Sequence, residues 1–579
     1  MSRLSNKLAR AKHTEEWIQR RLMMREVQEQ PFPLGDPDLN AAEEGLPEAV
    51  PNVAASARII SICVAISRIT GFARTWSMAF ALGATFLSSS YQVANNLPNQ
   101  LYELVMGGML VTAFLPVYLS VKKRAGREAG NVYASNLLTL VLLGLAVVTA
   151  LCMAFPQAIV YTQSFMTDQS DMGVAVLLFQ FFAIQTVFYG ASTILSGLLN
   201  ANREYLWSSA APIFNNLIVI ATFAAYAAIA PADPELALYV IAIGNPAGVL
   251  VQVLIQVPAL KKCGIRLRPR ISLADPALKE TLRLGVPAVA VTVFSFITVS
   301  VMNAASYAFA DNGPSVIAYA RLSYRLPYSF LAIPITTAMF TELSDMHAEG
   351  DMAGVMRGVQ TGTAQILFLL APFMLYLIVF AEPLVTLYHT GAFTADRIGQ
   401  IAGFLAALAL ALPFYGVLAY LQKAFSSLRR LGVFAWFNVA ASVVQVALTM
   451  GAAWAHQAGW PVPLESIAWA SAVYYVVVDV LGLVYLRMRF GGFSLLALVR
   501  SLFMGLTLGA LGAAAGAAVL FGFQLLWGPG QTEIWAALVS VTVGGVASLT
   551  VTFGIALAAK MPEAALVASF TSALKSRVR

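Results

Sequence analysis

Charge is the scarcest thing in this 579-residue chain. Asp, Glu, Lys and Arg together supply 11% of it, against 59% hydrophobic residues, and the mean hydropathy is +0.73. That mixture lies far outside the range of soluble globular chains. Cysteine is nearly absent: Cys63 and Cys152 lie in apolar runs and Cys263 in a basic stretch, which excludes a disulfide framework. His13, His347, His389 and His456 stand apart from one another, without metal-ligand spacing. The chain has no Walker A sequence, no GxSxG elbow and no pair of carboxylates within one apolar run, so nucleotide hydrolysis and hydrolase chemistry have no residues to carry them. Short alternating segments of the outer-membrane barrel type are missing too. No signal peptide is expected, because the first apolar run begins only after about fifty residues.

What is present is a succession of runs long enough to cross a bilayer, each of roughly 20 or more mostly apolar residues. They are expected at 54–84, 88–121, 130–156, 171–200, 207–230, 235–260, 280–310, 314–343, 355–381, 398–427, 431–456, 464–488, 497–526 and 533–559. The fold class is therefore an all-α polytopic membrane protein with 14 transmembrane helices. Charge supports the count, since cytoplasmic loops collect Lys and Arg. Lys122, Lys123, Arg124 and Arg127 follow the second run, Arg203 the fourth, Lys261 to Arg270 the sixth, Arg429 and Arg430 the tenth, Arg487 and Arg489 the twelfth. The intervening loops carry Asp168, Asp171, Asp233, Glu235, Asp311, Glu382, Asp396, Glu465 and Glu533. This alternation is expected to place both termini in the cytoplasm.

The implied organisation is a tail over 1–52, basic and then acidic and proline-rich, a first lobe over 53–260 and a linker over 261–279. A second lobe spans 280–490, two further helices lie in 491–560, and a basic tail closes the chain at 561–579. The lobes echo one another. Phe188-Tyr189-Gly190 recurs as Phe414-Tyr415-Gly416, Leu97-Pro98 as Leu326-Pro327, and Asn215-Asn216 has a counterpart in Asn438, each six spans later. An even offset preserves orientation, so two six-helix lobes form a parallel pseudo-repeat.

Against this apolar background the buried charges stand out. Arg68 sits about 20 Å into the first run at a rise of about 1.5 Å per residue, near the bilayer centre. Arg74 follows about 120° around the helix, and both can face one wide cavity if Gly71 loosens the turn. Arg321 and Arg325 share a face of the eighth run, and Glu103 is the one deep acid of the first half. Intramembrane arginine costs about 2.5 to 3.5 kcal/mol on insertion scales and is kept for substrate or ion paths. Four such residues against one deep carboxylate imply an anionic ligand, and the planar guanidinium fork suits phosphate.

The segments SRITGFAR (Ser67 to Arg74), NNLPNQLYELVMGG (Asn95 to Gly108) with Ala113 to Pro116, and EPLVTLYHTGAFTAD (Glu382 to Asp396) resemble the MurJ (MviN) family of lipid II flippases, in particular its actinobacterial branch. The resemblance implies the multidrug/oligosaccharidyl-lipid/polysaccharide exporter fold. Two lobes would surround a cationic cavity, with the last two helices forming a groove for a lipid tail. The implied substrate is lipid II, an undecaprenyl-pyrophosphate disaccharide-peptide, moved between leaflets without covalent chemistry. By motif position Arg68, Arg74, Ser67 and Asn99 match family residues, and Glu103, Arg321 and Arg325 complete the candidate substrate-binding set. The chain departs from the family pattern at Ser89, Tyr102-Glu103 and Gly107-Gly108, and its eighth-run arginines flank the family position.

No cofactor or metal is expected. The membrane potential is one candidate driving force and a monovalent cation another, with Asn303, Asn438 and Asp479 as polar candidates, although the core of the seventh run holds no acid. Partners would be lipid II, membrane lipids and proteins of cell-wall synthesis or division, not nucleic acid. Gly505, Gly509, Gly512 and Gly516 are expected to pack against Gly544-Gly545. Two rival readings stay open: export of another lipid-linked polysaccharide repeat, and a non-transporting scaffold for cell-wall assembly.

Overall fold

The structure is a computed structural model that describes residues 53–107, 114–528, 533–561 and 563; the expected tails at 1–52 and beyond 563 lie outside the described residues, as does Gly108. Only helices occur among the described residues. The first half comprises α1 (Val53–Leu82), α2 (Phe86–Tyr102), a π turn (Glu103–Gly107), α3 (Leu115–Ala154), the short α4 (Pro156–Tyr161), α5 (Gly173–Phe182), α6 (Gln185–Ala201), α7 (Tyr205–Ile229), α8 (Pro234–Leu254) and α9 (Val257–Lys262). The second comprises α10 (Pro276–Phe309), α11 (Gly313–Pro327), a π turn (Tyr328–Ala332), α12 (Ile333–Ala348), α13 (Met352–Val379), α14 (Ala381–Thr386), α15 (Asp396–Ala409), α16 (Leu412–Ser427), α17 (Leu431–Gln457) and α18 (Ser466–Phe490). Two more, α19 (Leu495–Trp527) and α20 (Ile534–Ala558), follow.

Local chemistry sets where these helices begin. Asp233 and Asp275 accept from the backbone N–H of Leu236 and Ala277, each at 3.0 Å, and each is followed by a proline whose missing N–H costs nothing in a first turn. Ser494 caps α19 in the same way. Reversal between the second and third runs needs no loop. It occurs at Gly126, whose φ of 81° and ψ of 177° break α3 so that Phe114 packs on Tyr133 across the bend.

Among the described residues nine helices are long and apolar enough to cross a membrane, or up to eleven when two bent pairs each count as one crossing. The bent pairs are α5 with α6, at 41°, and α15 with α16, at 50°. The expected runs that fall short of this test are the first, second and eighth, which are the ones that carry Arg68, Arg74, Glu103, Arg321 and Arg325. Charge and helix irregularity coincide there. The pseudo-repeat reappears in the backbone. Both bent pairs break just ahead of their Phe-Tyr-Gly triplet, and α2 and α11 each give way to a π turn after their Leu-Pro pair, since proline cannot close the helical bond one turn back.

Packing groups the helices by half, with α1 on α7, α7 on α8, α2 on α5 and α3 on α6 in the first, and α10 on α17, α17 on α18 and α13 on α16 in the second. The last two helices join the second half through α13 and each other. The glycine expectation needs correction. Gly505 and Gly509 face Phe368 and Pro372 of α13, whereas Gly512 meets Ser548 and Thr552 and Gly516 meets Ser548 of α20; Gly544 lies beside Gly516 as expected but also against Phe380, and Gly545 meets nothing.

Candidate functional site

The two halves touch along a seam at the end of the molecule bearing the acidic loops. Tyr319 donates to the carbonyl of Gly83 (2.8 Å), Asn312 to that of Ala84 (3.1 Å) and Trp76 to that of Leu387 (3.1 Å). The Ser315 N–H donates to Ser89 Oγ (3.2 Å), and the Ala392 N–H to the Phe80 carbonyl (2.9 Å). Gly83 and Gly391 make this approach feasible. Both have positive φ, +63° and +56°, and a Cβ would stand 2.2 Å from the Ala392 oxygen or 2.3 Å from that of Phe80. Asn303 of α10 adds a bond to Gln163, which in turn donates to Gln100 of α2. At the basic end the ties are different: the linker at Arg268, Arg270 and Ser272 and the first turns of α10 lean on Ser135, Asn136, Thr139 and Tyr133 of α3.

Arg68 and Arg74 part company. Helix α1 runs unbroken through Gly71, which lies beside the Asn216 amide instead of loosening the turn. Asn216 donates to Thr70 Oγ1 (3.1 Å) and to the carbonyl of Ser67 (3.4 Å), so α7 fixes the turn that carries Arg68. The Arg68 side chain is exposed and stands, with Arg325, within electrostatic reach of Tyr328. Arg74 instead turns into the first half against the Tyr91 hydroxyl, with Tyr189 close by. Tyr91 donates to Asn245 (3.0 Å), and the Asn245 amide donates to Asn95 (2.5 Å), completing a chain of polar groups inside an apolar bundle. Candidates Asn99 and Glu103 pair with each other, at 3.0 Å.

In the second half Arg321 and Arg325 line one cavity of about 290 Å³ between α10, α11, α16, α17 and α18. Tyr415 anchors its aromatic wall, with ring centroids 5.7 Å from Tyr324, 5.3 Å from Tyr475 and 4.5 Å from Tyr328. None of the ion pairs found among the described residues involves Arg68, Arg74, Arg321 or Arg325. Asp479 is 3% exposed and neither of its oxygens has a partner. The polar trio Asn303, Asn438 and Asp479 shares no ligand: Asn303 bonds to Gln163, Asn438 accepts from Tyr474, and Asp479 bonds to neither. Among the described residues no group of three His, Cys, Asp or Glu side chains converges as a metal site.

Sequence reading missed the tyrosines. Tyr91, Tyr189, Tyr324, Tyr328, Tyr415 and Tyr475 surround the arginines. The signal was the recurring Phe-Tyr-Gly triplet, whose tyrosine stands near Arg74 in one half and near Arg321 in the other.

Two helical lobes, tied by the seam at the acidic end and by the linker and the start of α10 at the basic end, around arginines with no carboxylate partner among the described residues, define a membrane transporter. Among solved structures, one titled "Lipid II flippase MurJ, inward closed conformation" superposes with a TM-score of 0.66 at 18% identity, over 86% of this chain and 98% of that one. An inward-facing multidrug resistance MATE family transporter of the MOP superfamily gives 0.61 at 13% identity, over 76% and 99%. The profile of the family described as "Lipid II flippase MurJ" matches residues 78–537, and the chain belongs to that family. Among relatives, the lipid II flippase MurJ of Burkholderia cenocepacia is 29% identical over 355 residues, 60% of this chain and 68% of that one. The probable lipid II flippase MurJ of Vibrio cholerae is 26% identical over 415 residues, 68% of this chain and 77% of its own.

Proposed function

We propose that the chain is a flippase that carries lipid II from the inner to the outer leaflet of a bacterial inner membrane. Family membership supports the substrate, and the observation that carries the mechanism is that its four intramembrane arginines have no carboxylate partner among the described residues. An unpaired guanidinium in a low-dielectric cleft is held there for an anion. Arg68 and Arg325, both exposed and both within electrostatic reach of Tyr328, would receive the pyrophosphate as it enters between the halves. Arg74 lies inside the first lobe against Tyr91, and Asn99 and Glu103 pair with each other on α2 and the turn after it; with Ser67 they complete the candidate set.

Orientation follows from charge. The basic loops mark the cytoplasmic side, both termini lie there, and the seam through Gly83 and Gly391 closes the outer side. The lipid tail stays in the bilayer while the head group crosses, so transport needs no bond to be made or broken. Separation of the seam and approach of the basic ends would present the same site outward. An inside-negative potential favours outward movement of anions by about 2.3 kcal/mol per charge per 100 mV. That field is the proposed drive, with a monovalent cation as the alternative.

The test is depletion of the native lipid II flippase in a bacterium complemented with this chain, intact or with Arg68→Ala or Arg325→Ala at matched membrane abundance, while lipid II reaching the outer leaflet is scored. Rescue by the intact chain with loss in both variants is expected. A well-inserted chain that fails to rescue would instead favour another lipid-linked polysaccharide repeat, and full rescue by both variants would favour a scaffold role.

A further inference from the structure

The hairpins after the second and eighth runs are repeat equivalents of opposite charge. Each follows a Leu-Pro pair and a π turn, and each reverses at a glycine with a φ of +81°, Gly126 in the first half and Gly350 in the second. Both stand at the basic end. Arg127 lies against Gly264 of the linker there, and α13 leads away from the Gly350 turn toward α14 and the seam contact at Leu387. The first hairpin carries Lys122, Lys123, Arg124 and Arg127; the second carries Glu342, Asp345, Glu349 and Asp351. We infer that the two hairpins are the halves of an electrostatic latch, which is open in this structure and closes the basic end when the seam at the acidic end parts.

Placement is the first support. The hairpins belong to opposite halves, since α3 packs on α6 and α12 on α13 and α16. The runs that lead into them already touch at the other end, where the Ser315 N–H of α11 donates to Ser89 of α2. A parallel repeat sets equivalent elements at the same end on opposite sides of the cleft, so rocking that separates the seam brings these two hairpins together.

Availability is the second. Glu342, Asp345 and Glu349, spaced i, i+3 and i+7, form one exposed stripe along α12 and its end, and Lys123 is exposed on the first hairpin. None of the ion pairs found among the described residues involves Lys123, Glu342, Asp345 or Glu349. Two neighbours are occupied within their own halves: Lys122 donates to Asn202 (2.8 Å), and Asp351 accepts from the Gly354 N–H (2.7 Å) and stands 3.7 Å from Arg357.

The third is that these acids suit neither their helix nor their end of the molecule. A helix C-terminus carries partial negative charge and disfavours carboxylates, yet Asp345 and Glu349 sit at the close of α12. The other loops between runs at this end collect Lys and Arg, and such loops would repel one another on approach. Acids on one of two facing hairpins turn that repulsion into attraction. Exposed ion pairs are individually weak and screened by salt, which suits contacts made and broken in every cycle.

The inference rests on the alternate opening of the two ends invoked for the flippase. In the full chain freed of its native cysteines and embedded in vesicles, Ser89→Cys reports opening of the seam by its labelling with an impermeant maleimide. Reversing the acidic stripe (Glu342→Lys, Asp345→Lys and Glu349→Lys together) should slow labelling by about fivefold or more, and Lys123→Glu with Arg124→Glu should slow it by a similar factor. Combining the two sets should restore the native rate, and all four chains should converge in about 1 M salt, where the Debye length is about 3 Å. An unchanged rate in either single set overturns the latch, as does a folded combination that stays slow. A second measurement leaves the other charges in place: a short bis-maleimide should join Lys123→Cys to Glu349→Cys faster once Gly83→Val props the seam open, and an unaltered rate there also overturns the latch. Neither readout needs a substrate. A latch found in a chain that does not flip lipid II would refute the flippase reading alone, and flipping by a chain whose hairpins never meet would refute the latch alone.

Discussion

The two halves treat their arginines in opposite ways. In the first, Arg74 is met by the protein itself: Tyr91, Asn245 and Asn95 form a hydrogen-bonded chain that absorbs its polarity inside the bundle. In the second, Arg321 faces a cavity walled by tyrosines whose hydroxyls are largely uncommitted. A repeat that preserved its Phe-Tyr-Gly triplet and its bent helix has therefore diverged in what the triplet tyrosine serves. One half stabilises a cation internally and the other leaves its cation for a ligand, so the two arginines should respond differently to mutation.

Breaking the seam that holds the halves together should have the largest effect. Gly83→Val would place a branched side chain where a Cβ already lies 2.2 Å from the Ala392 oxygen, at a positive φ that disfavours it further. In a cysteine-free background, Ser89→Cys, buried at the seam, should be labelled slowly by an impermeant maleimide from the outside. Adding Gly83→Val should speed labelling by tenfold or more, the equivalent of about 1.4 kcal/mol against the closed seam.

Next comes the comparison of arginines. Loss of a charge-assisted contact is worth about 1.5 to 3 kcal/mol, so Arg68→Ala and Arg325→Ala should each slow flipping roughly tenfold to a hundredfold with little change in melting temperature. Arg74→Ala, by contrast, should also lower thermal stability, because it leaves Tyr91 buried without its charged neighbour. Equal melting temperatures for all three variants would contradict the division between Arg74, met inside its lobe, and the exposed Arg68 and Arg325.

A smaller change tests the first half alone. Tyr91→Phe removes one hydroxyl and leaves Asn245 Oδ1 without that donor, for a cost of about 1 to 3 kcal/mol read as a lower denaturation midpoint. Tyr415→Phe, whose hydroxyl makes no such internal bond, should change stability by less than about 0.5 kcal/mol. The smallest effect is expected at Asp479. Its oxygens have no partner, so Asp479→Asn should shift stability by less than about 1 kcal/mol and leave flipping intact; were this acid the hidden counter-charge of Arg321, both would change sharply.

Much of this molecule was legible in order of residues. Apolar runs placed the helices within a few residues of their observed ends, because a bilayer demands length and hydrophobicity from each crossing and the chain has few charges to spare. The arginines drew notice for the same reason, being costly where they stand. Arg321 and Arg325 were readable as neighbours from their spacing of four along one helix, which fixes their common face. Arg68 and Arg74, six apart, were not: helical geometry puts them about 120° apart, and only the packing of α7 on α1, through Asn216 against Gly71, decides that one reaches the cleft and the other the lobe interior.

The sequence by itself determined that the chain is a bundle of membrane helices with basic loops alternating with acidic ones, an internal repeat and an unbalanced set of arginines within its apolar runs, since those properties depend on local composition and period. Tertiary structure alone decided which tyrosines meet which arginine, that Asn303 ties the halves at the acidic end instead of joining Asn438 and Asp479, and that Gly83 and Gly391 let two backbones touch. The contacts between the halves join residues more than a hundred positions apart, and their geometry is set by the angles at which bent helices cross, which no local pattern encodes.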